Sequence, residues 1–154
     1  MFQALLAAAL LVPAFCCADV GVNIYGFSWH IDGDKARAEN ADNWFNPGLG
    51  VRYRVPGKTF DYFFDAGAYR DSGRNTALLA GGAVHWRATQ SARLGVALVM
   101  LNSKTYNDGN TFFAPLPVFA WEFRSLTFNM VWMPKVSEVN GINTLGFWLT
   151  YWPQ

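Results

Sequence analysis

The run Phe-Asp-Tyr-Phe-Phe-Asp-Ala-Gly-Ala-Tyr at residues 60–69 constrains the fold more than any other part of the chain. Side chains on a strand point alternately to its two faces. Phe60, Tyr62, Phe64, Ala66 and Ala68 therefore share one side, and Asp61, Asp65, Gly67 and Tyr69 share the other. One face is apolar; the other is polar and rich in small residues, which suits the inside of a narrow barrel whose outside meets lipid. The strand then breaks into Arg70-Asp71-Ser72-Gly73-Arg74-Asn75, ordinary turn chemistry that also sets a carboxylate beside a hydroxyl.

Composition points the same way. Only 15% of the 154 residues are charged while 17% are aromatic, a poor recipe for a surface that faces water. A net charge of +1 on a chain of single-domain length makes no electrostatic case for nucleic acid. Phe2 to Phe15 form an apolar run too short to span a bilayer, ending at Cys16-Cys17-Ala18 before Asp19. The spacing of small residues predicts a secretory signal over 1–18, cut after Ala18, with 19–154 as one barrel domain. Both cysteines leave with the signal, so the mature chain has no disulfide framework and no Cys-ligated metal site.

Beyond Ala18 no apolar run approaches the roughly 18 residues that a membrane helix needs. A mature chain embedded in a membrane is then a β-barrel. Eight period-two segments, at about 21–31, 47–54, 60–70, 76–87, 93–103, 112–123, 126–135 and 143–152, are bounded by turn residues. The expected fold is all-β, an eight-stranded antiparallel transmembrane β-barrel of the outer membrane of a Gram-negative bacterium, acting as a monomer. Connections alternate in length: long at 32–46, 104–111 and 136–142, short at 55–59, 88–92 and 124–125. Outer-membrane barrels have short periplasmic turns and longer outer loops, which sets the orientation and puts the N-terminus in the periplasm.

That orientation sorts the polar residues. Arg52, Arg54, Asp61, Asp65, Arg87 and Glu122 fall near the periplasmic end on the inner face, a charge-paired plug closing the lumen, with His85 a structural member of the same layer. His30 ends the first segment and Asp71-Ser72 the third, so all three reach the outer rim. A rim histidine is ordinarily just solvated, and Asp-Ser-Gly is a common turn. The three residue types are nonetheless those that proton and acyl transfer require. Pro115, Pro117 and Pro134 lie within segments six and seven, although proline removes a ladder donor and a closed barrel has no edge to hide it. With the tight turn centred on Arg124-Ser125, Pro115 falls roughly opposite Pro134, which predicts either an unzipped gap near the outer leaflet or a bulge that shapes the rim.

Ser28-Trp29-His30, Arg70-Asp71-Ser72, Ala114-Pro115-Leu116-Pro117-Val118 and Leu126-Thr127-Phe128-Asn129-Met130 followed by Pro134 occur in order over most of the chain. In these pieces the sequence resembles the PagP family, the outer-membrane lipid A palmitoyltransferases. The resemblance implies an acyltransferase that moves a palmitate-like chain from a phospholipid donor to the lipid A part of lipopolysaccharide, with no metal and no cofactor. It implies functional roles for His30, Asp71 and Ser72, a lateral lipid gate at Pro115, Pro117 and Pro134, and an acyl-pocket floor at Ala83, where the family has a glycine. His30 is the expected general base with Asp71 orienting or charge-stabilising it, while Ser72 is either a nucleophile or a group that positions the ester. Arg37, Arg70, Arg74 and Lys104 are candidates to hold lipid A phosphates. The chain departs from the family in placing Tyr25 at a proline position in strand one, in leaving no room after Ala18 for an amphipathic helix, and in ending Tyr151-Trp152-Pro153-Gln154. Two rivals are a non-enzymatic barrel, structural or adhesin-like, and a lipocalin-like carrier; the second needs a polar exterior, which the aromatic outward faces oppose.

Overall fold

The computed structural model describes residues 19–136 and 139–153, so the expected signal at 1–18 lies outside the described residues. The strands are β1 (Asp19–His30), β2 (Phe45–Val55), β3 (Phe60–Arg70), β4 (Thr76–Arg87), β5 (Ala92–Asn102), β6 (Phe112–Phe123), β7 (Leu126–Met133) and β8 (Thr144–Tyr151). Each pairs antiparallel with the next and β8 pairs back to β1, which closes the barrel. A short helix α1 (Gly33–Ala38) sits in the first outer connection. The segments expected from periodicity are recovered with shifted ends. β7 stops at Met133 because Pro134 has no N–H to give the ladder.

The exterior is what a lipid-facing wall requires. Trp29, Trp44, Phe45, Phe113 and Trp132 are exposed towards the outer ends of the strands, and Phe60, Tyr62, Trp86, Trp121, Phe123 and Tyr151 towards the other ends. Leu49, Val51, Leu78, Val96 and Leu98 are exposed between these two aromatic girdles. In water an apolar belt of this extent would drive aggregation; in a bilayer it is the outside of a membrane barrel. This is an outer-membrane type of barrel, and the exterior does not suit a soluble lipocalin.

The lumen is closed from below by ions. Arg52 donates to both oxygens of Asp65, at 2.7 and 2.9 Å, and to Asn129 Oδ1 at 2.7 Å; Asn23 donates to Asp65 Oδ1 at 2.7 Å. Below this layer Asp61 accepts from Arg87 and Arg93, and Glu122 accepts from Arg54 and Arg93. Each buried charge therefore has a partner, as a low-dielectric interior demands, and removing one side of such a pair costs about 3–5 kcal/mol. Above the plug, Tyr25 fits because β2 and β3 offer it glycines. A Cβ on Gly50 or Gly67 would lie 2.7 or 2.6 Å from the Tyr25 hydroxyl. The pairing of β1 with β2 is regular from Asp19↔Arg54 to Tyr25↔Gly48 and resumes at Phe27↔Phe45 after a register shift, with Pro47 of β2 at the shift.

One ladder is incomplete. β6 and β7 pair from Phe123↔Leu126 only as far as Val118↔Val131, whereas β5–β6 pairing continues to Leu101↔Phe112 and β7–β8 pairing to Met133↔Thr144. Continued at the same register, the next residues to meet would be Pro117 with Trp132 and Pro115 with Pro134, and neither proline of β6 has a donor. The wall is thus open between β6 and β7 over its outer part.

Candidate functional site at the outer rim

Whether His30 faces the lumen depends on one residue. In the lower part of β1 the inward side chains are Asn23 and Tyr25, while Val22 and Ile24 are exposed; the next inward position by strict alternation is residue 27. The register instead shifts between Tyr25 and Phe27, a β-bulge at Gly26. An extra residue in one strand reverses its facing. Phe27 and Trp29 accordingly point to lipid, and Ser28 and His30 turn inward.

Ser72 reaches the same place from the end of β3. The turn 71–75 is closed by Asp71 N–H to Asn75 O (2.8 Å), Asn75 N–H to Asp71 Oδ1 (2.9 Å) and Arg74 N–H to Asp71 O (3.0 Å), with Arg74 in the left-handed region at φ 65. Asparagine from the first outer loop grips it, since Asn43 N–H donates to Ser72 O at 3.2 Å and Asn43 Nδ2 to Asp71 O at 3.3 Å. The third outer loop grips it from the other side. Ser103 Oγ donates to Asp71 Oδ2, Asn75 Nδ2 to Thr105 Oγ1 at 3.1 Å, and a Cβ on Gly73 would stand 2.4 Å from Thr105 Oγ1, so only glycine permits this approach.

The result is a cluster around one hydroxyl. Ser72 Oγ lies 2.8 Å from His30 Nε2 and 3.3 Å from Ser28 Oγ, and Tyr106 of the third outer loop lines the same lumen cavity. Burial, followed by the nearby Asp71 carboxylate, pushes the Tyr106 phenol up, so it stays protonated. His30 and Ser72 are therefore brought together as the sequence suggests. Asp71 is beside them, and its carboxylate accepts from Ser103 Oγ and from the Asn75 N–H. Ser28, Ser103 and Tyr106 received no role from sequence: Ser103 and Tyr106 are loop residues with no periodic pattern to place them, and the facing of Ser28 in β1 depends on the bulge at Gly26.

The cluster opens onto two cavities. Beneath it a lumen cavity of about 110 Å³ is lined by Leu79, Ala83, Val99, Leu116, Val118 and Val131 on the β4–β7 side and by Tyr25, Tyr69 and Trp148 on the other. Ala83, opposite Phe63 and Ala97, lies at its lower end, where His85 packs its ring 4.5 Å from that of Phe63 above the ionic plug. A second cavity of about 290 Å³ fills the break between β6 and β7 and is lined by Phe112, Phe113, Pro115, Met133, Pro134 and Val136. Pro117 stands just below it, at the first missing pair. Of the rim cations, Arg37 and Arg74 are taken up by Asp34 and Asp42; Arg70 and Lys104 are exposed and have no carboxylate partner among the described residues.

No family model and no curated protein matches the chain. Among solved structures it is similar to the crystal structure of neisserial surface protein A, with a TM-score of 0.36 at 10% identity over 87% of this chain and 95% of that one. A likeness that loose carries no argument about chemistry. The fold rests on the strand pairing and the site on its own geometry.

Proposed function

We propose that the protein is an acyltransferase of the outer membrane, moving a palmitate-like chain from a phospholipid to a hydroxyl of lipid A. One observation carries the reading: a histidine nitrogen and a serine hydroxyl 2.8 Å apart at the mouth of an apolar lumen, next to an open break in the wall. Base and nucleophile within hydrogen-bond reach is the arrangement that acyl transfer uses. The resemblance to PagP in the pieces that hold His30, Asp71, Ser72 and the prolines supports the same assignment.

In this reading the donor enters sideways through the gap at Pro115, Pro117 and Pro134 and threads its acyl chain down the lumen towards Ala83. Each buried methylene contributes about 0.8 kcal/mol, so an apolar slot both holds and measures the chain. His30 Nε2 takes the Ser72 proton as Oγ attacks the ester carbonyl; the carbon–oxygen bond to glycerol breaks and that oxygen leaves with the proton. A lipid A hydroxyl then attacks the acyl-serine, gives its proton to His30, and Ser72 departs reprotonated. In the same reading, lipid A phosphates are received at the rim by the exposed Arg70 and Lys104. The test is mass spectrometry of lipid A from cells with and without the protein, together with detergent assays on defined phospholipids. Turnover that needs His30 supports the reading. A folded barrel that leaves every lipid unchanged would make this a structural barrel instead.

A further inference from the structure

Asn46 is a buried amide with nothing to bind. It faces inward from β2, between the exposed Phe45 and Pro47, and is only 5% exposed. It lines the lumen cavity together with Ser28 and Ser72, and neither its Oδ1 nor its Nδ2 has a hydrogen-bond partner among the described residues. An amide in that state is destabilising, because folding removes its water and returns nothing. The other inward asparagines are not left so: Asn23 donates to Asp65 and accepts from Thr150, and Asn129 donates to Thr150 and accepts from Arg52.

The strand register shows what Asn46 would meet. β2 pairs with β3 as far as Gly48↔Tyr69, and continuing that pairing brings residue 46 opposite Asp71, one residue short of Ser72. Neighbouring strands stand about 4.8 Å apart. A chain whose carbonyl carbon lies at Ser72 Oγ therefore passes Asn46 with its first few atoms. The ester carbonyl is an acceptor and can satisfy Nδ2, but the methylenes of a plain chain offer Oδ1 no donor. A hydroxyl on the second or third carbon does. Ser28, the other polar side chain at this level, is already committed to Ser72 Oγ and to the carbonyl of Asn43, both at 3.3 Å. We propose that the lumen selects hydroxylated acyl chains, with Asn46 as the specificity-determining residue that reads a hydroxyl on the second or third carbon. This rests on the acyl-transfer reading above and narrows its substrate class.

The experiment is a competition. Equimolar phosphatidylcholines carrying palmitoyl, 2-hydroxypalmitoyl or 3-hydroxypalmitoyl chains are offered together, with lipid A in detergent, to the wild type, Asn46→Leu and Asn46→Ala, each checked for heat-modifiable migration as a folded barrel. Mass spectrometry of the product reads the ratio of kcat/KM values, in which a general loss of activity cancels. The wild type should favour a hydroxylated chain over palmitoyl by about ten- to a hundredfold, the scale set by leaving a buried polar group unpaired. Asn46→Leu, of similar volume, should bring that ratio close to one, and Asn46→Ala should do the same without the leucine branch. A wild type that transfers the three chains alike, or favours palmitoyl, overturns the inference while leaving acyl transfer standing. So does a preference for the hydroxyl that survives both substitutions. A wild type that transfers none of the chains overturns both.

Discussion

The imidazole of His30 and the hydroxyl of Ser72 meet at 2.8 Å although 42 residues separate them. Two local devices produce the contact: the bulge at Gly26 that reverses the facing of β1, and the Asp71-capped turn that ends β3. Neither is needed to close a barrel. Both aim side chains at one point, which makes the contact the natural place to test for chemistry.

His30→Ala and Ser72→Ala should each lower transfer by at least about 10²-fold, with barrels that still fold and migrate as the wild type does. Because the two act as one unit, the double variant should be scarcely worse than either single one. Asp71→Asn should behave differently. It leaves the His30–Ser72 pair in place but weakens the hold of Ser103 and Asn75, so a partial loss is expected, and Ser103→Ala should reproduce it. Steady-state assays of the four variants decide the matter; full activity in both His30→Ala and Ser72→Ala would remove the site from this rim.

Much of this was legible in the sequence because lipid imposes a strict alternation. Phe60 to Tyr69 could be sorted residue by residue, and the placing of Pro115 opposite Pro134 followed from propagating register out of the turn at Arg124-Ser125. The bulge was harder to find. Its signal is present nonetheless, since the outward apolar residues are even-numbered at Val20, Val22 and Ile24 and odd-numbered at Phe27 and Trp29. The partners of Asp71 were not legible. Ser103 comes from a loop whose conformation is set by the turn it packs against, and its bond to the Asp71 carboxylate leaves no trace in the spacing that suggested Asp71 as the group orienting or charge-stabilising His30.

The break between β6 and β7 predicts a lockable gate. Pro117 and Trp132 are the first residues beyond the last formed pair, so Pro117→Cys with Trp132→Cys places two thiols where the strands are still close. Oxidation should block transfer from phospholipid and reduction should restore it. Equal turnover in the oxidised and reduced forms would leave the prolines as shapers of the rim only.

The outer loops should be held together by Asp32 in a pH-dependent way. Its carboxylate accepts from Asn143 N–H at 3.2 Å and from Asn143 Nδ2 at 3.0 Å, tying the first outer loop to the last. These two hydrogen bonds, backbone first, hold the Asp32 carboxyl below its ordinary value. A depressed carboxyl stabilises the tie above the unfolded value of about 3.9, and the contribution is lost as pH falls through the lower, folded one. Protection of the Asn143 amide should thus persist from neutral pH down to about 4 and fail only in stronger acid. NMR of that amide against pH is the measurement, with Asp32→Asn as the control that removes the carboxylate titration. A loosening centred above pH 5 would mean that another group controls the loops.

In the proposed acyl-transfer reading, Ala83 is the residue expected to set the depth of the acyl slot. It is buried between Phe63 and Ala97 at the lower end of the lumen cavity, just above the ring of His85, and the ionic plug beneath cannot move aside without stranding a charge. In a close-packed wall, added volume at this point shortens the space left for the chain, because neighbouring side chains have no void to retreat into. With alanine where the PagP family has glycine, the preferred chain should be slightly shorter than palmitate. Ala83→Gly should shift selection towards a longer chain, and Ala83→Met, which drives a flexible thioether into the slot, towards a much shorter one. The lumen lining above Ala83 is untouched by either change, so total turnover on the matched chain should stay within about tenfold of wild type while the optimum moves. Mass-spectrometric profiling of chains transferred from a mixed phospholipid pool reads the optimum directly. Three identical profiles would place the floor elsewhere in the barrel.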